Sequence, residues 1–288
     1  MVTLRFLGAA GLAAALAALG SVTACTTDDG DPGAATGGSG SGGSGGGSHT
    51  GGSPAGGAGT GGSATGTVCA SSVLLDAAKS GVADFDAYDG KALATWTFPL
   101  GGDSSVGVLG GPFGYGDRPD GFPETFEMGT GHDSMYALRI ADTLASGYGG
   151  GMGTWLSGCI NASKFSGVSF WVRGNAPEGK AKFTASMQET LPITPAMAGG
   201  AVGTCAGDAK TCIHPTFVFP VTDEWTEIKA PWTGFTPGNA AGALVKPDGK
   251  NLTQLQFDIG LVWVADAAGT YMPTPAPYEL VVDSLSFY

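Results

Sequence analysis

"FSGVSFWVRGN" (Phe165 to Asn175) decides the fold class. At a strand's period of two, Val168, Phe170 and Val172 fall on one face and Ser169, Trp171 and Arg173 on the other. The aliphatic set reads as a core face. The opposite face has two readings: Trp171 covered by a loop, or Trp171 as an open aromatic platform with a cation beside it.

Outward from this run, short apolar or alternating stretches recur, separated by Gly, Pro, Asn and Asp. They include "ATWTF" (Ala94 to Phe98), "MYALRI" (Met135 to Ile140), "KFTASMQ" (Lys182 to Gln188) and "TFVFPV" (Thr216 to Val221). "WTEIKA" (Trp225 to Ala230), "LTQLQFDIG" (Leu252 to Gly260) and "ELVVDSLSFY" (Glu279 to Tyr288) complete the set. Eight or so strands of this kind predict an all-β fold, an antiparallel β-sandwich or jelly roll. No segment holds a helical repeat over three turns. "SSVLLDAAKSG" (Ser71 to Gly81) is the weakest helical candidate and reads equally as a strand with a turn.

The chain ahead of this domain divides in two. Residues 1–24 read as an export signal: Arg5 is the positive start, and the apolar run Phe6 to Gly20 is short for a membrane span. "VTAC" (Val22 to Cys25) resembles a bacterial lipobox, which implies a diacylated Cys25 as the mature N-terminus. Thr26 follows the cysteine where an inner-membrane retention signal has Asp, so the expected location is the cell envelope, at the outer membrane. Residues 25–66 carry Cys25 and a Gly/Ser-rich tether too poor in apolar surface to fold. Such a flexible tether reaches on the order of 35 Å. The G-x-S-x-G match at Gly42 to Gly46 lies inside it and has no strand or helix to support a nucleophile.

Residues 67–288 remain as one domain of β-sandwich size. The whole chain has 13 Lys+Arg and 25 Asp+Glu; without Arg5 the mature balance is 12 − 25 = −13. That charge argues against nucleic acid or an anionic lipid surface as partner. The membrane is expected to be met through the lipid anchor only. Four cysteines in an exported domain predict two disulfides, with Cys205–Cys212 and Cys69–Cys159 favoured over the other two connectivities. His132 and His214 read as loop residues, and neither sits in a triad or metal-helix context. Trp96, Trp155, Trp225, Trp232 and Trp263 all have a core reading.

The order of segments carries a resemblance. "DFDAYDG" (Asp84 to Gly90), "DSMYALRI" (Asp133 to Ile140), "GYGGGMGTWL" (Gly147 to Leu156), "NASKFSGVSFWVRG" (Asn161 to Gly174), "DEWTEIKAPW" (Asp223 to Trp232), "LTQLQFDIG" and the closing "ELVVDSLSFY" are similar to the galactose-binding-like jelly rolls of bacterial surface lipoproteins. They resemble carbohydrate-binding module family 11 and its relatives. The resemblance implies a noncatalytic, monomeric, carbohydrate-binding module. It also implies a structural calcium held by Asp84 or Asp86 and Asp283, with Asp133 as a further ligand. The opening Asp84-Phe85-Asp86-Ala87 and the single acid Asp283 before Ser284 depart from the family pattern, which weakens the metal site more than the fold. "PITPAMAGGAVGTCAG" (Pro192 to Gly207) and "ADAAGTYMPTPAP" (Ala265 to Pro277) read as loop insertions.

If Phe170 faces the core, so should Phe183, Ala185, Met187, Leu255, Phe257 and Ile259, leaving Thr184, Ser186, Gln188, Gln254, Gln256 and Asp258 outward on the same side of their sheets as Trp171 and Arg173. A sugar would then stack on Trp171 and hydrogen-bond Arg173, Gln188, Gln256 and Asp258. The competing readings are a loop-covered Trp171 with Arg173 paired to Asp258, a structural or adhesive lipoprotein that binds a protein, and, more remotely, a polysaccharide hydrolase.

Overall fold

The computed structural model describes residues 71–116, 123–144, 149–193, 203–208 and 210–288. The export signal, Cys25, the tether and Cys69 lie outside them. In chain order the strands are β1 (Val73–Leu74), β2 (Gly81–Ala83), β3 (Phe98–Pro99), β4 (Leu109–Tyr115), β5 (Thr125–Gly129) and β6 (Ala137–Leu144). They continue with β7 (Gly150–Asn161), β8 (Gly167–Asn175), β9 (Lys180–Met187), β10 (Cys212–Ile213), β11 (Thr216–Pro220) and β12 (Thr226–Pro231). The last are β13 (Gly238–Ala240), β14 (Ala243–Val245), β15 (Leu252–Ile259), β16 (Val262–Ala265), β17 (Tyr271–Thr274) and β18 (Ala276–Phe287). Among the described residues the only helical turns are short 3-10 turns.

Two sheets face each other. One runs β11-β9-β15-β7-β4-β3, with β1 parallel to β7; the other runs β12-β8-β18-β6-β5, with β2 on β18. From β6 to β9 the chain alternates between the sheets, as it does again from β11 through β12 and β15 to β18, which is the jelly-roll winding. Period-two alternation explains why both sheets close on a single core. From β8, Val168, Phe170 and Val172 are at most 1 % exposed. Phe183, Ala185, Met187, Leu255, Phe257 and Ile259 meet them from the other sheet, all buried as expected. Phe170 stands 5.3 Å from Phe183, 4.9 Å from Phe257 and 5.1 Å from Phe219, so four rings from both sheets form the centre. Burying rings of this size contributes roughly 2–3 kcal/mol each.

Several expectations need correction. "ATWTF" forms a 3-10 turn at Leu93–Thr95, and only Phe98 enters a strand. Of the two readings of "SSVLLDAAKSG", the strand is the one that forms, as β1. "ADAAGTYMPTPAP" is partly a hairpin, β16 with β17. The strands β4 and β7, rich in glycine, were not expected; a Gly-rich run reads locally as a loop, and tertiary pairing overrides that preference. The Cys205–Cys212 disulfide forms, with Cα atoms 5.9 Å apart. Cys159 is buried, and its expected partner Cys69 lies outside the described residues.

Candidate functional site

The solvent side of the seven-stranded sheet is built from the positions that alternate with the core. On β15 these are Gln254, Gln256 and Asp258. Register places Gln254 between Trp155 and Ser186, Gln256 between Gly153 and Thr184, and Asp258 between Gly151 and Lys182. Beyond β7, Tyr115 lies opposite Gly151, Phe113 opposite Gly153, and Gly111 opposite Trp155.

The glycines make this arrangement possible. A Cβ on Gly151 would stand 2.6 Å from the Tyr115 hydroxyl, and one on Gly153 would stand 2.8 Å from the Phe113 ring. A Cβ on Gly111 would run into the indole of Trp155. Three aromatic side chains therefore lie down across the backbone of a neighbouring strand, which only glycine permits. Tyr115 and Phe113 are buried beneath the face, while Trp155 is half-buried.

Lying across Gly151 brings the Tyr115 hydroxyl to β15, where it donates to Asp258 Oδ1. Gln256 Nε2 donates to the same oxygen and, at 3.1 Å, to the Tyr115 hydroxyl. Thr184 Oγ1 donates to Asp258 Oδ2 at 2.5 Å, and Gln254 Nε2 donates to Gln256 Oε1 at 2.6 Å. The result is a continuous polar ladder with fixed amide planes. Burial raises the Asp258 carboxyl above its ordinary range, against the lowering effect of these donors. Burial also pushes the Tyr115 phenol well up, with the Asp258 charge adding to it. Next to Asp258 the face opens into a cleft of about 330 Å³, lined among others by Lys180, Lys182, Val218, Gly260 and Val262.

The residues predicted to share a site divide between the two sides of the sandwich. Gln256 and Asp258 lie on the face just described. Trp171 and Arg173 belong to β8 in the other sheet and point away from it. Gln188 is buried in the 3-10 turn Gln188–Thr190 that follows β9. On β8 and β15 the period of two separated inside from outside correctly, and it failed at Gln188, where the strand has ended; it carries no information on which sheet a strand joins, and each sheet has its own outside.

Trp171 is covered. The His132 ring stacks on it at 3.7 Å and 12°, and Trp225 meets His132 edge-on at 5.6 Å. Arg173 lies over Trp225, 5.2 Å from the ring centre, rather than beside Asp258. Asp283, fully buried, fixes the covering loop: Oδ2 accepts from His132 N at 2.7 Å and Ser134 Oγ at 2.6 Å, and Oδ1 from Ser284 N at 2.6 Å. Asp86 Oδ1 accepts from Met135 N and Tyr136 N at 2.8 and 3.0 Å, and Asp84 accepts from Asp86 N at 3.2 Å. Asp133 points to solvent, its side chain 93 % exposed. The four carboxylates expected to hold calcium do not fit a cage: no three of them converge, and Asp283 and Asp86 already receive amides and a hydroxyl. They tie the chain start, the loop and the last strand together by hydrogen bonds instead.

Trp155, Tyr115 and Gln254 were not among the predicted site residues. A usable signal was present in "GGPFGY" and "GGMGTW": glycines and aromatics each recur at a spacing of two, the pattern of rings in one strand lying over glycines in the next.

No family model matches the chain, and no curated protein does. Among solved structures, the chain is similar to the family 11 carbohydrate-binding module of a cellulosomal cellulase of Clostridium thermocellum: 15% identity, 62% of this chain and 86% of that one, TM-score 0.32. A family 30 carbohydrate-binding module is 16% identical over 57% of this chain and 83% of its own, TM-score 0.34. A surface glycan-binding protein from Prevotella bryantii is 11% identical over 57% and 49%, TM-score 0.34. The likeness is distant, and the chemistry of the site rests on its own residues.

Proposed function

We propose that the protein binds carbohydrate, without catalysis, on the solvent face of the seven-stranded sheet. The observation that carries this reading is the ladder Gln254–Gln256–Asp258 locked by Tyr115 and Thr184 beside the half-buried Trp155. Planar amides that donate and accept in pairs suit vicinal hydroxyls, and an indole face suits the C–H side of a sugar ring. Asp258 is engaged by three donors, which holds it as a fixed acceptor rather than as a nucleophile or base. Export and acylation at Cys25 would display the domain on a tether at the cell envelope. A second reading, adhesion to a protein partner, is favoured by the hairpin β16–β17, where Trp263, Val264, Tyr271 and Met272 are 53, 52, 67 and 54 % exposed.

The test is retention of the full-length chain on immobilised polysaccharides. Gln256→Ala and Trp155→Ala should abolish retention with the circular dichroism unchanged. Binding that survives both but is lost with Trp263→Ser and Tyr271→Ser would move the site to the hairpin. For the anchor, Cys25→Ser should shift the protein from the membrane to the soluble fraction; unchanged fractionation would contradict it.

A further inference from the structure

The cleft gathers two of the few bases of an acidic chain, Lys180 and Lys182. The protein has 25 acids against 13 bases. Five of the eleven described bases sit in ion pairs: Lys79 with Asp103, Lys91 with Asp89, Arg139 with Glu127 and Glu279, Lys229 with Glu227, and Lys250 with Asp248. Lys180 and Lys182 have no ion pair with any described residue. Both are exposed on the outward side of β9, two residues apart and so about 7 Å along one face. Both line the cleft that opens beside Asp258. Glu178 is on the same rim but pairs with neither, and the Asp258 oxygens are taken by Tyr115, Gln256 and Thr184.

Resting on the carbohydrate-binding reading above, we propose that the ligand is an acidic glycan, a uronate-bearing polysaccharide whose carboxylates are received by Lys180 and Lys182. Its ring and hydroxyls lie on the ladder of β15 and on Trp155. Lysine gives carboxylates charge-assisted hydrogen bonds, stronger than neutral ones. The net negative charge of the chain disfavours a polyanion over the molecule as a whole, so two adjacent lysines also bias where it lands.

The experiment compares binding of the full-length protein to polygalacturonate, alginate and hyaluronate with binding to the methyl ester of each, which keeps the backbone and removes the charge. The expected result is that at least one uronate polymer binds, about tenfold or more tighter than its ester, and more weakly as salt rises. Lys180→Ala with Lys182→Ala should remove that preference while leaving residual binding of the ester, and Lys→Arg at both positions should restore it. Equal or tighter binding of the esters, or acidic binding indifferent to the double alanine variant, overturns the acidic ligand and leaves carbohydrate binding standing. Failure of every polysaccharide, charged or neutral, overturns both. Equal retention of single-stranded DNA, abolished by the same lysine variants, also overturns it by making the cleft a general polyanion site.

Discussion

The two outer faces of this sandwich start from the same pattern and end differently. On β8 the residues that alternate with the core are Ser169, Trp171 and Arg173; on β15 they are Gln254, Gln256 and Asp258. The first face is closed by the loop that lays His132 on Trp171, and the closure depends on a buried carboxylate, Asp283. The second is opened by glycines on β4 and β7, which let Tyr115, Phe113 and Trp155 lie flat and leave the ladder of β15 accessible. A tryptophan facing outward is therefore no sign of a platform by itself. What crosses over it decides.

The largest effect should come from breaking the closed face. Asp283→Ala takes the acceptor from the His132 and Ser284 amides and one of two acceptors from the Ser134 hydroxyl, a loss of about 3 kcal/mol. It should lower Tm and shift tryptophan emission to the red as Trp171 is uncovered; an unchanged Tm would mean that the loop is held by other contacts. Next is a pH effect at the end of the open sheet, where His214 Nδ1 lies 2.7 Å from Thr190 Oγ1. Burial lowers the His214 pKa from 6.5 to about 4. The unfolded chain takes up the proton first, so stability present above pH 6.5 is lost as pH falls towards 4, by about 2 kcal/mol near pH 4.5. His214→Gln should flatten that part of a denaturation-versus-pH curve. Trp171→Ala is smaller again. Its ring is half-buried against His132, so a cost of about 1–2 kcal/mol is expected. Glycan retention should not change, and a loss of retention with the fold intact would restore Trp171 as the platform.

How much of this was legible follows from side-chain size. β8, β9, β11, β12, β15 and β18 announce themselves because large apolar residues alternate with polar ones, and the core partners of Phe170 could be named from parity alone. β4 and β7 could not, because Gly110, Gly111, Gly114, Gly150, Gly151 and Gly153 carry no side chain to alternate. Those silent strands hold Tyr115 and Trp155, so half of the candidate site was hidden with them. Gln256 and Asp258 were found on a readable strand. Trp171 and Arg173 were joined to them wrongly because strand adjacency is a property of long-range pairing. The four acids were located but given a metal; in the structure, backbone amides and a hydroxyl supply the positive partners that calcium was expected to supply.

The central claim is that the face over β15, and not the face over β8, meets the ligand, and hydrogen–deuterium exchange of the full-length protein with and without a retained polysaccharide tests it most directly. Added ligand should slow exchange in peptides covering 150–156, 180–186 and 252–259, and leave 131–136 and 167–175 unchanged. Protection confined to 131–136 and 167–175 would contradict the account and place the ligand on Trp171.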